Sequence, residues 1–341
     1  MTDMKVPQAA RQLRELALSA ACAAALRAAA RLGVADALGD DPASVEEIAR
    51  AVKADAGALR RLMRGLSSHG IFAEVDGDRF AHTEASRLLR EDTPSGLRYT
   101  TLWATEPWTW ELWPRLDEAV RAGRSQFGDL HGKSFFEFLH EDAPESAAVF
   151  DRAMTQASAL SARALADVLD LHGVAVVADV GGGQGGVLRA LLERSTTLRG
   201  VLFDLPEVIA NADPWLRPGG PLGDRVQLVA GDCRREVPVE ADLYLVKNVL
   251  EWDDDSTVAT LRAIASSGRP GARVVIVENL IDGSPELKFT TAMDLLLLLN
   301  VGGRKHTREG LEALIGQAGL TLGRVEPVNS YLHMFTCVVP A

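Results

Sequence analysis

The sequence predicts an α/β protein in which a doubly wound, mostly parallel sheet follows a smaller, mostly helical module of winged-helix order. Three observations predict it. From Val174 onward, short apolar runs alternate with amphipathic stretches, the pattern of strands separated by helices. Inside that region "VVADVGGGQGGVLRALLE", residues 176–193, runs an apolar strand through a glycine cluster straight into a helix. The first hundred residues instead read helix, helix, helix, hairpin.

Composition bounds the rest. At 341 residues the chain has room for two domains, and 47% apolar with 24% charged residues is ordinary for a globular protein with a sizeable core. A formal net charge of −11 argues against holding nucleic acid or an anionic membrane by bulk electrostatics. The three cysteines, Cys22, Cys233 and Cys337, are odd in number and far apart, which fits a reducing cytoplasm and neither a disulfide framework nor a zinc spacing. The stretch "MTDMKVPQAARQLREL" carries no apolar signal core. The alanine-rich run Leu16–Leu26 is too short to span a membrane and suits close helix packing, including packing between subunits.

Taken in order, residues 1–100 form the winged-helix module. In "ASVEEIARAV" Ser44 and Glu47 have the spacing of a capping box. "DAGALRRLMRGLSSHG" puts Leu59, Leu62, Met63 and Leu66 on one helical face and stops at Gly70. "IFAEVDGDRFAHT" reads as two strands joined through Asp76–Gly77–Asp78. Such a module reads DNA or packs as a dimerisation unit. Arg60, Arg61 and Arg64 favour the first, while Asp40, Asp41, Glu46 and Glu47 and the acidic chain favour the second. Residues 101–165 read as connecting helices. "TLWATEPWTWELW" brings Trp103, Trp108, Trp110 and Trp113 together, either as core or as the wall of a pocket for a flat apolar ligand. Phe150 and Met154 share a helical face at i, i+4. Residues 166–341 hold the sheet, with strands expected at 176–180, 200–204, 226–229, 242–246, 273–277, 320–326 and 334–339. Helices are expected at 186–194, 206–212, 255–268, 286–300 and 307–318.

A doubly wound sheet binds ligands at the carboxyl ends of its strands, which is where the glycine turn Gly181–Gly186 falls. Glycine lets backbone approach a ligand closely, and a helix N-terminus offers free N–H groups. Asp204 ends the second strand, placed to accept bonds from ribose hydroxyls; Asp232 follows the third in "VAGDC", and Lys247 follows the fourth. Three polar groups at successive strand ends around one crevice point to a nucleotide-type cofactor, a dinucleotide among the alternatives.

The set "VVADVGGGQGG", "LFDLPEVI", "GDC", "DLYLVKNVLEWDDD", "PGARVVIVE" and "MDLLLL…NVGGRKHT…AGL" resembles, in order and spacing over nearly the whole chain, the class I AdoMet-dependent small-molecule O-methyltransferases. The nearest branch is the caffeate/acetylserotonin type, including bacterial enzymes of secondary metabolism and antibiotic biosynthesis. The resemblance implies a Rossmann-like AdoMet domain, S-adenosyl-L-methionine as cofactor with S-adenosyl-L-homocysteine as product, no metal, and a homodimer formed through the N-terminal module. It implies that Gly181 and Gly183 pass the methionine part of AdoMet and that Asp204, with Leu205 beside it, takes the ribose. Asp232 and Cys233 would flank the adenine, and Lys247 would line the cofactor site. Asn300 would face the acceptor, with Phe150, Met154, Trp103 and Trp108 as pocket walls.

The catalytic positions depart from the family pattern. Members often carry a histidine four residues after the lysine; here Glu251 stands there, in Lys247-Asn248-Val249-Leu250-Glu251-Trp252. The two acidic partners of that histidine map to Glu278 and to Lys305, with His306 next to it. An activated methyl chiefly requires alignment, and orientation alone supplies about 7–11 kcal/mol of such a barrier. A positioned base adds about 10²–10⁴-fold, but a carboxylate with a pKa of about 4.3 matches that task poorly unless burial raises it. The candidate catalytic set is therefore Glu251, Glu278 and His306, with Glu251 paired to Lys305 as the competing reading. Asp253–Asp255 reads as a helix start favoured by the dipole, not a metal site. The expected activity is methyl transfer to a hydroxyl of an aromatic metabolite. The alternatives are C- or N-methylation or a non-methylating reaction on the same fold and, in a different class, an AdoMet-sensing DNA-binding regulator.

Overall fold

The structure, a computed structural model, describes residues 7–93 and 96–341. The first six residues of the stretch read for a signal core lie outside the described residues. The chain divides into two compact units, Met1–Thr109 and Trp110–Ala341.

In the first unit, helices Gln8–Ala17, Ser19–Leu32, Val34–Leu38, Val45–Val52 and Ala56–Ser68 precede a hairpin of Phe72–Val75 and Arg79–His82. Ala43–Ser44 adds a short strand beside Arg79–His82. The capping box forms in full: Ser44 N–H donates to Glu47 Oε2 (2.8 Å), and Glu47 N–H donates to Ser44 Oγ (3.3 Å). Helix Ala56–Ser68 buries Leu59, Met63 and Leu66 in one core with Ile48, Phe72 and Phe80; Leu62, at the edge of that stripe, is half-buried. The basic face of this helix is matched by acids, Arg60 pairing with Glu46 (2.9 Å) and Asp78 (2.8 Å) and Arg64 with Glu74 (2.8 Å). Trp103 and Trp108 are buried in this unit.

The second unit holds seven strands: β1 Val176–Val180, β2 Arg199–Asp204, β3 Val226–Ala230, β4 Leu243–Lys247, β5 Arg273–Glu278, β6 Thr321–Pro327 and β7 His333–Val338. They lie in the order β3-β2-β1-β4-β5-β7-β6, the first five parallel and β7 antiparallel to both neighbours. The helices that matter below are α1 Pro144–Val168, α2 Gly186–Arg194, α3 Asp254–Ser267, α4 Leu287–Val301 and α5 Arg308–Gln317.

Successive strand residues point to opposite faces, and each face has its own core. Tyr244 and Val246 of β4 join Leu261 and Ile264 of α3 and Leu311 and Ile315 of α5. Leu243 and Leu245 join Leu188 and Leu191 of α2 and Leu165 of α1. Burial on both faces explains why these strands read as continuous apolar runs. The helix expected over 206–212 is only Pro206–Ile209, because the chain then turns so that Asp213 N–H can reach the Gln184 carbonyl (2.8 Å).

Sheet order reverses between β1 and β4, the switch point at which such sheets open a crevice. Ionisable residues crowd there: Asp204, Lys247 and Glu278 are the last residues of β2, β4 and β5, and Asp179 is the penultimate residue of β1. Among the described residues no helix is long and apolar enough to cross a membrane.

Candidate active site

The glycine turn leaves β1 at Gly181, whose N–H donates to the Phe203 carbonyl (2.8 Å). Gly183 adopts φ +60°, a left-handed conformation that disfavours a side chain, and a Cβ built there meets no atom within 4 Å. The Asp204 carboxylate stitches the turn to β2, accepting from Gly183 N–H at Oδ2 (2.8 Å) and from Leu205 N–H at Oδ1 (2.7 Å). Burial pushes Asp204 up to about 6, against the pull of those two donors. Asp179, buried beneath the turn, is pushed up to about 7 by burial, with Lys247 opposing.

Asp232 and Cys233 follow β3. Arg234 grips both Asp232 oxygens (3.0 and 2.9 Å) and its backbone N–H adds a third bond (3.0 Å). Burial alone would raise the Asp232 carboxyl, but these bonds hold it below the ordinary range. Burial pushes the Cys233 thiol up to about 12, with Asp204 and Asp232 adding to the rise, so it stays protonated.

A second cluster forms where β4 and β5 end. Lys305 Nζ donates to Glu251 Oε1, both side chains largely buried. Burial disfavours the Lys305 ammonium, yet Glu251 and Glu278 together hold its pKa above the ordinary lysine value. Glu278 Oε1 accepts from the N–H groups of Val249 (3.2 Å) and Leu250 (3.1 Å), fixing the turn that carries Glu251. Burial and the nearby Glu251 push Glu278 up to about 8, with Lys305 opposing. The Lys305 loop is pinned twice: Lys305 N–H donates to Asp294 of α4 (2.7 Å), and a Cβ on Gly303 would lie 1.9 Å from the Glu251 carbonyl oxygen.

His306 points elsewhere. Its Nε2 lies 2.6 Å from the Leu250 carbonyl oxygen. A carbonyl only accepts, so Nε2 carries the proton, and burial holds the ring below the ordinary histidine value and hence neutral. Asp253 caps α3, accepting from Ser256 N–H (2.9 Å), with Asp254 and Asp255 in the first turn.

Helix α1 joins the two clusters through residues that its apolar pattern did not reveal. Asp151, Thr155 and Ser158, at i, i+4 and i+7, share a face. Thr155 Oγ1 donates to Gln184 Oε1 in the glycine turn (2.9 Å), and Lys247 Nζ donates to Ser158 Oγ (3.3 Å). Burial raises Asp151, and its charge contributes to the rise at Asp204. Burial pulls Lys247 below the ordinary lysine range, against Asp179, Glu278 and Glu251. Phe150 and Met154 lie on the same helix, half-buried. Asn300, on the last turn of α4, is buried, and its Oδ1 has no hydrogen-bond partner among the described residues. The structure thus gathers Gly181, Gly183, Asp204 and Leu205 in one cluster and Glu251, Glu278 and Lys305 in another, with Lys247 between them. It places Trp103 and Trp108 in the first unit.

Comparison with known proteins fits this arrangement. An O-methyltransferase domain matches residues 113–321, and an O-methyltransferase dimerisation domain matches residues 14–92. The chain is 36% identical to the mitomycin biosynthesis 6-O-methyltransferase of Streptomyces lavendulae over 90% of this chain and 88% of that protein. Its fold is similar to that of the mitomycin 7-O-methyltransferase MmcR, with TM-score 0.88 and 33% identity over 97% of each chain. It is also similar to NcsB1, an O-methyltransferase from neocarzinostatin biosynthesis solved with S-adenosyl-L-homocysteine and 1,4-dihydroxy-2-naphthoic acid (TM-score 0.79, 31% identity, 93% of this chain and 96% of that one). With its glycine turn at the switch point and a dimerisation domain ahead of it, the chain belongs to the AdoMet-dependent O-methyltransferases.

Proposed function

We propose that this chain transfers the methyl group of AdoMet to a hydroxyl of an aromatic small-molecule metabolite of bacterial secondary metabolism, working chiefly by orientation. The observation that carries the reading is the glycine turn, open above Gly183 and facing the half-buried carboxylate of Asp204. That cradle fits AdoMet: backbone without side chains for the methionine part, and an acceptor of hydrogen bonds for the ribose. Gly181 and Gly183 would pass the amino-acid end, and Asp204 and Leu205 the ribose. Asp232 and Cys233 would lie along the adenine, with Lys247 below. AdoMet supplies a methyl on a positively charged sulfur, and moving it to an oxygen anion leaves a neutral thioether and a neutral ether.

The residues of the chain orient and exclude water. Phe150 and Met154 present apolar surface to a flat acceptor, and Asn300 offers its unpartnered Oδ1 to a donor on the acceptor. Glu251 serves as an acceptor-side anchor held by Lys305; protonating it would cost the ion pair, so its share as a general base is small. Glu278 positions the Glu251 turn, and His306 supports it through the Leu250 carbonyl. No metal takes part in this scheme, so dialysis against EDTA should leave the rate unchanged. The N-terminal module is the proposed homodimer contact.

The test is methyl-deuterated AdoMet with a panel of hydroxyaryl acids, phenols and hydroxyquinones, the products read by mass spectrometry. Label on oxygen with the methyl intact is the expected outcome. Label on carbon or nitrogen would replace the reading with a different acceptor atom.

A further inference from the structure

Helix α1 is tied to the crevice at two points, and the two ties fix where the rest of its polar stripe falls. Lys247 Nζ, at the end of β4, donates to Ser158 Oγ (3.3 Å), and Thr155 Oγ1 donates to Gln184 Oε1 in the turn that leaves β1 (2.9 Å). Strands β4, β1 and β2 are successive neighbours in the sheet, each step about 4.8 Å. At about 1.5 Å per residue, α1 advances about 4.5 Å from Ser158 to Thr155 and about 10.5 Å from Ser158 to Asp151. The helix and the sheet therefore keep step. With Ser158 over β4 and Thr155 over the β1 turn, Asp151 falls over β2, whose last residue is Asp204. Electrostatics agree with this register: the charge of Asp151 is felt at Asp204, and that of His140 is felt at both. His140 belongs to the helix Phe135–Glu141, whose Phe136 ring packs on Phe150 of α1 (6.2 Å). Asp151 is half-buried, and among the described residues no hydrogen bond acts on its carboxyl, whereas both oxygens of Asp204 already accept a backbone N–H.

We propose that α1 forms the second wall of the AdoMet cradle and that its Asp151 accepts from a ribose hydroxyl opposite Asp204, with Ser158 at the amino-acid end. The inference rests on the AdoMet reading above and assigns residues within that site. Chemistry orders the stripe. An ammonium beside a hydroxyl, as at Lys247 and Ser158, suits a carboxylate and places the amino-acid end over β4. The amino group of the methionine part shares a carbon with that carboxylate, so it stays near β4 and the β1 turn, away from Asp151. The ribose lies beyond the sulfur and offers two hydroxyls, and two facing carboxylates accept one each. The same register separates Asp151 from the acceptor side. Glu251 follows β4 and Glu278 ends β5, two and three strands from β2, so removing the acceptor's proton is not the task of Asp151.

The test is calorimetric and needs no turnover. Two probes are titrated into the full-length protein: S-adenosyl-L-homocysteine, and 5′-methylthioadenosine, which keeps the adenine and ribose but lacks the amino and carboxyl groups. Asp151→Ala should weaken both by the same factor, about tenfold or more, the worth of a hydrogen bond to a charged group. Ser158→Ala should weaken S-adenosyl-L-homocysteine alone. Should Asp151→Ala fail to fold, Asp151→Asn, which keeps the shape and removes the charge, should weaken both probes in the same ratio.

Deleting the hydroxyl reads the contact from the other side. Of the 2′-deoxy and 3′-deoxy forms of S-adenosyl-L-homocysteine, one should bind the wild type about tenfold less well than the parent compound yet lose nothing further in Asp151→Ala, a coupling that a merely structural role would not produce. A loss confined to S-adenosyl-L-homocysteine would move Asp151 to the amino-acid end and overturn the register. Unchanged affinity for both probes in the Asp151 variants overturns it as well, and a fall in turnover with a shifted pH profile would then make Asp151 a base. In each of these cases the wild type still binds S-adenosyl-L-homocysteine and the AdoMet reading stands. If the wild type binds neither probe, that reading itself fails.

Discussion

Protonation of Asp204 should act on folding and on the proposed cofactor binding with opposite signs. Its folded pKa is about 6, raised mainly by burial above the unfolded value of 3.8. Between those values the folded protein holds a proton that the unfolded chain has lost, so the ligand-free protein gains stability from this group as pH falls through 6. In the proposed site ribose hydroxyls would donate to the ionised carboxylate, so AdoMet affinity should instead fall through the same range. Calorimetric titration between pH 5 and 8 should show that loss, and Asp204→Asn should flatten it while weakening binding by about 1.5–3 kcal/mol, the worth of hydrogen bonds to a charged group. Two glycines separate binding from stability in the same way. Gly183→Ala places its Cβ in open space, so its cost to folding is the backbone strain of about 1–2 kcal/mol, while AdoMet binding should be lost because the methyl occupies the cradle. Gly303→Ala drives its Cβ into the Glu251 carbonyl at 1.9 Å and should displace the Lys305 loop, with a clear fall in Tm.

Helix α1 spans both clusters, and its Ser158 is the hydrogen-bond partner of the half-buried Lys247 Nζ. Ser158→Ala should cost about 1–3 kcal/mol, the penalty of leaving such a group short of a partner, read as a lower Tm. This helix also marks where the sequence stops being legible. The parallel strands announce themselves as apolar runs bounded by turns, and β1 and α2 fall at the expected residues because the glycine turn fixes both ends. The strand-end polar residues were legible for the same reason, since a charge ending an apolar run has few places to go except the crevice. Asp151, Thr155 and Ser158 were not, because their stripe lies beside Phe150 and Met154 and an apolar reading of "VFDRAMTQAS" passes over it. Pairing across 54 residues, as between Glu251 and Lys305, follows from loop packing at Gly303 that periodicity does not encode. The same limit applies to His306: its place in the sequence allows it to turn inward, and only the position of the Leu250 carbonyl decides which way the ring faces.

At the scale of the whole molecule, the N-terminal helix is incomplete in a single copy. Gln8–Ala17 is ten residues long and buries none of them, and Leu13, Leu16 and the following Leu18 are 68%, 62% and 71% exposed. An isolated helix shorter than about 12–15 residues is marginal in water, so helical stability in proteins comes mainly from packing an apolar face. The leucines therefore need a partner surface, and the dimerisation domain matched over residues 14–92 begins inside this helix. A second copy of the chain is the partner we propose. Replacing Leu13 and Leu16 together by aspartate should shift the light-scattering mass from dimer to monomer. It should also reduce the helical signal in circular dichroism, since the segment loses what orders it. The core of the first unit, built on Val45, Ile48, Leu59, Met63, Phe72 and Phe80, contains neither leucine, so that unit should stay folded as the dimer dissociates. A dimer that survives both substitutions would place the contact elsewhere and leave this helix to another partner.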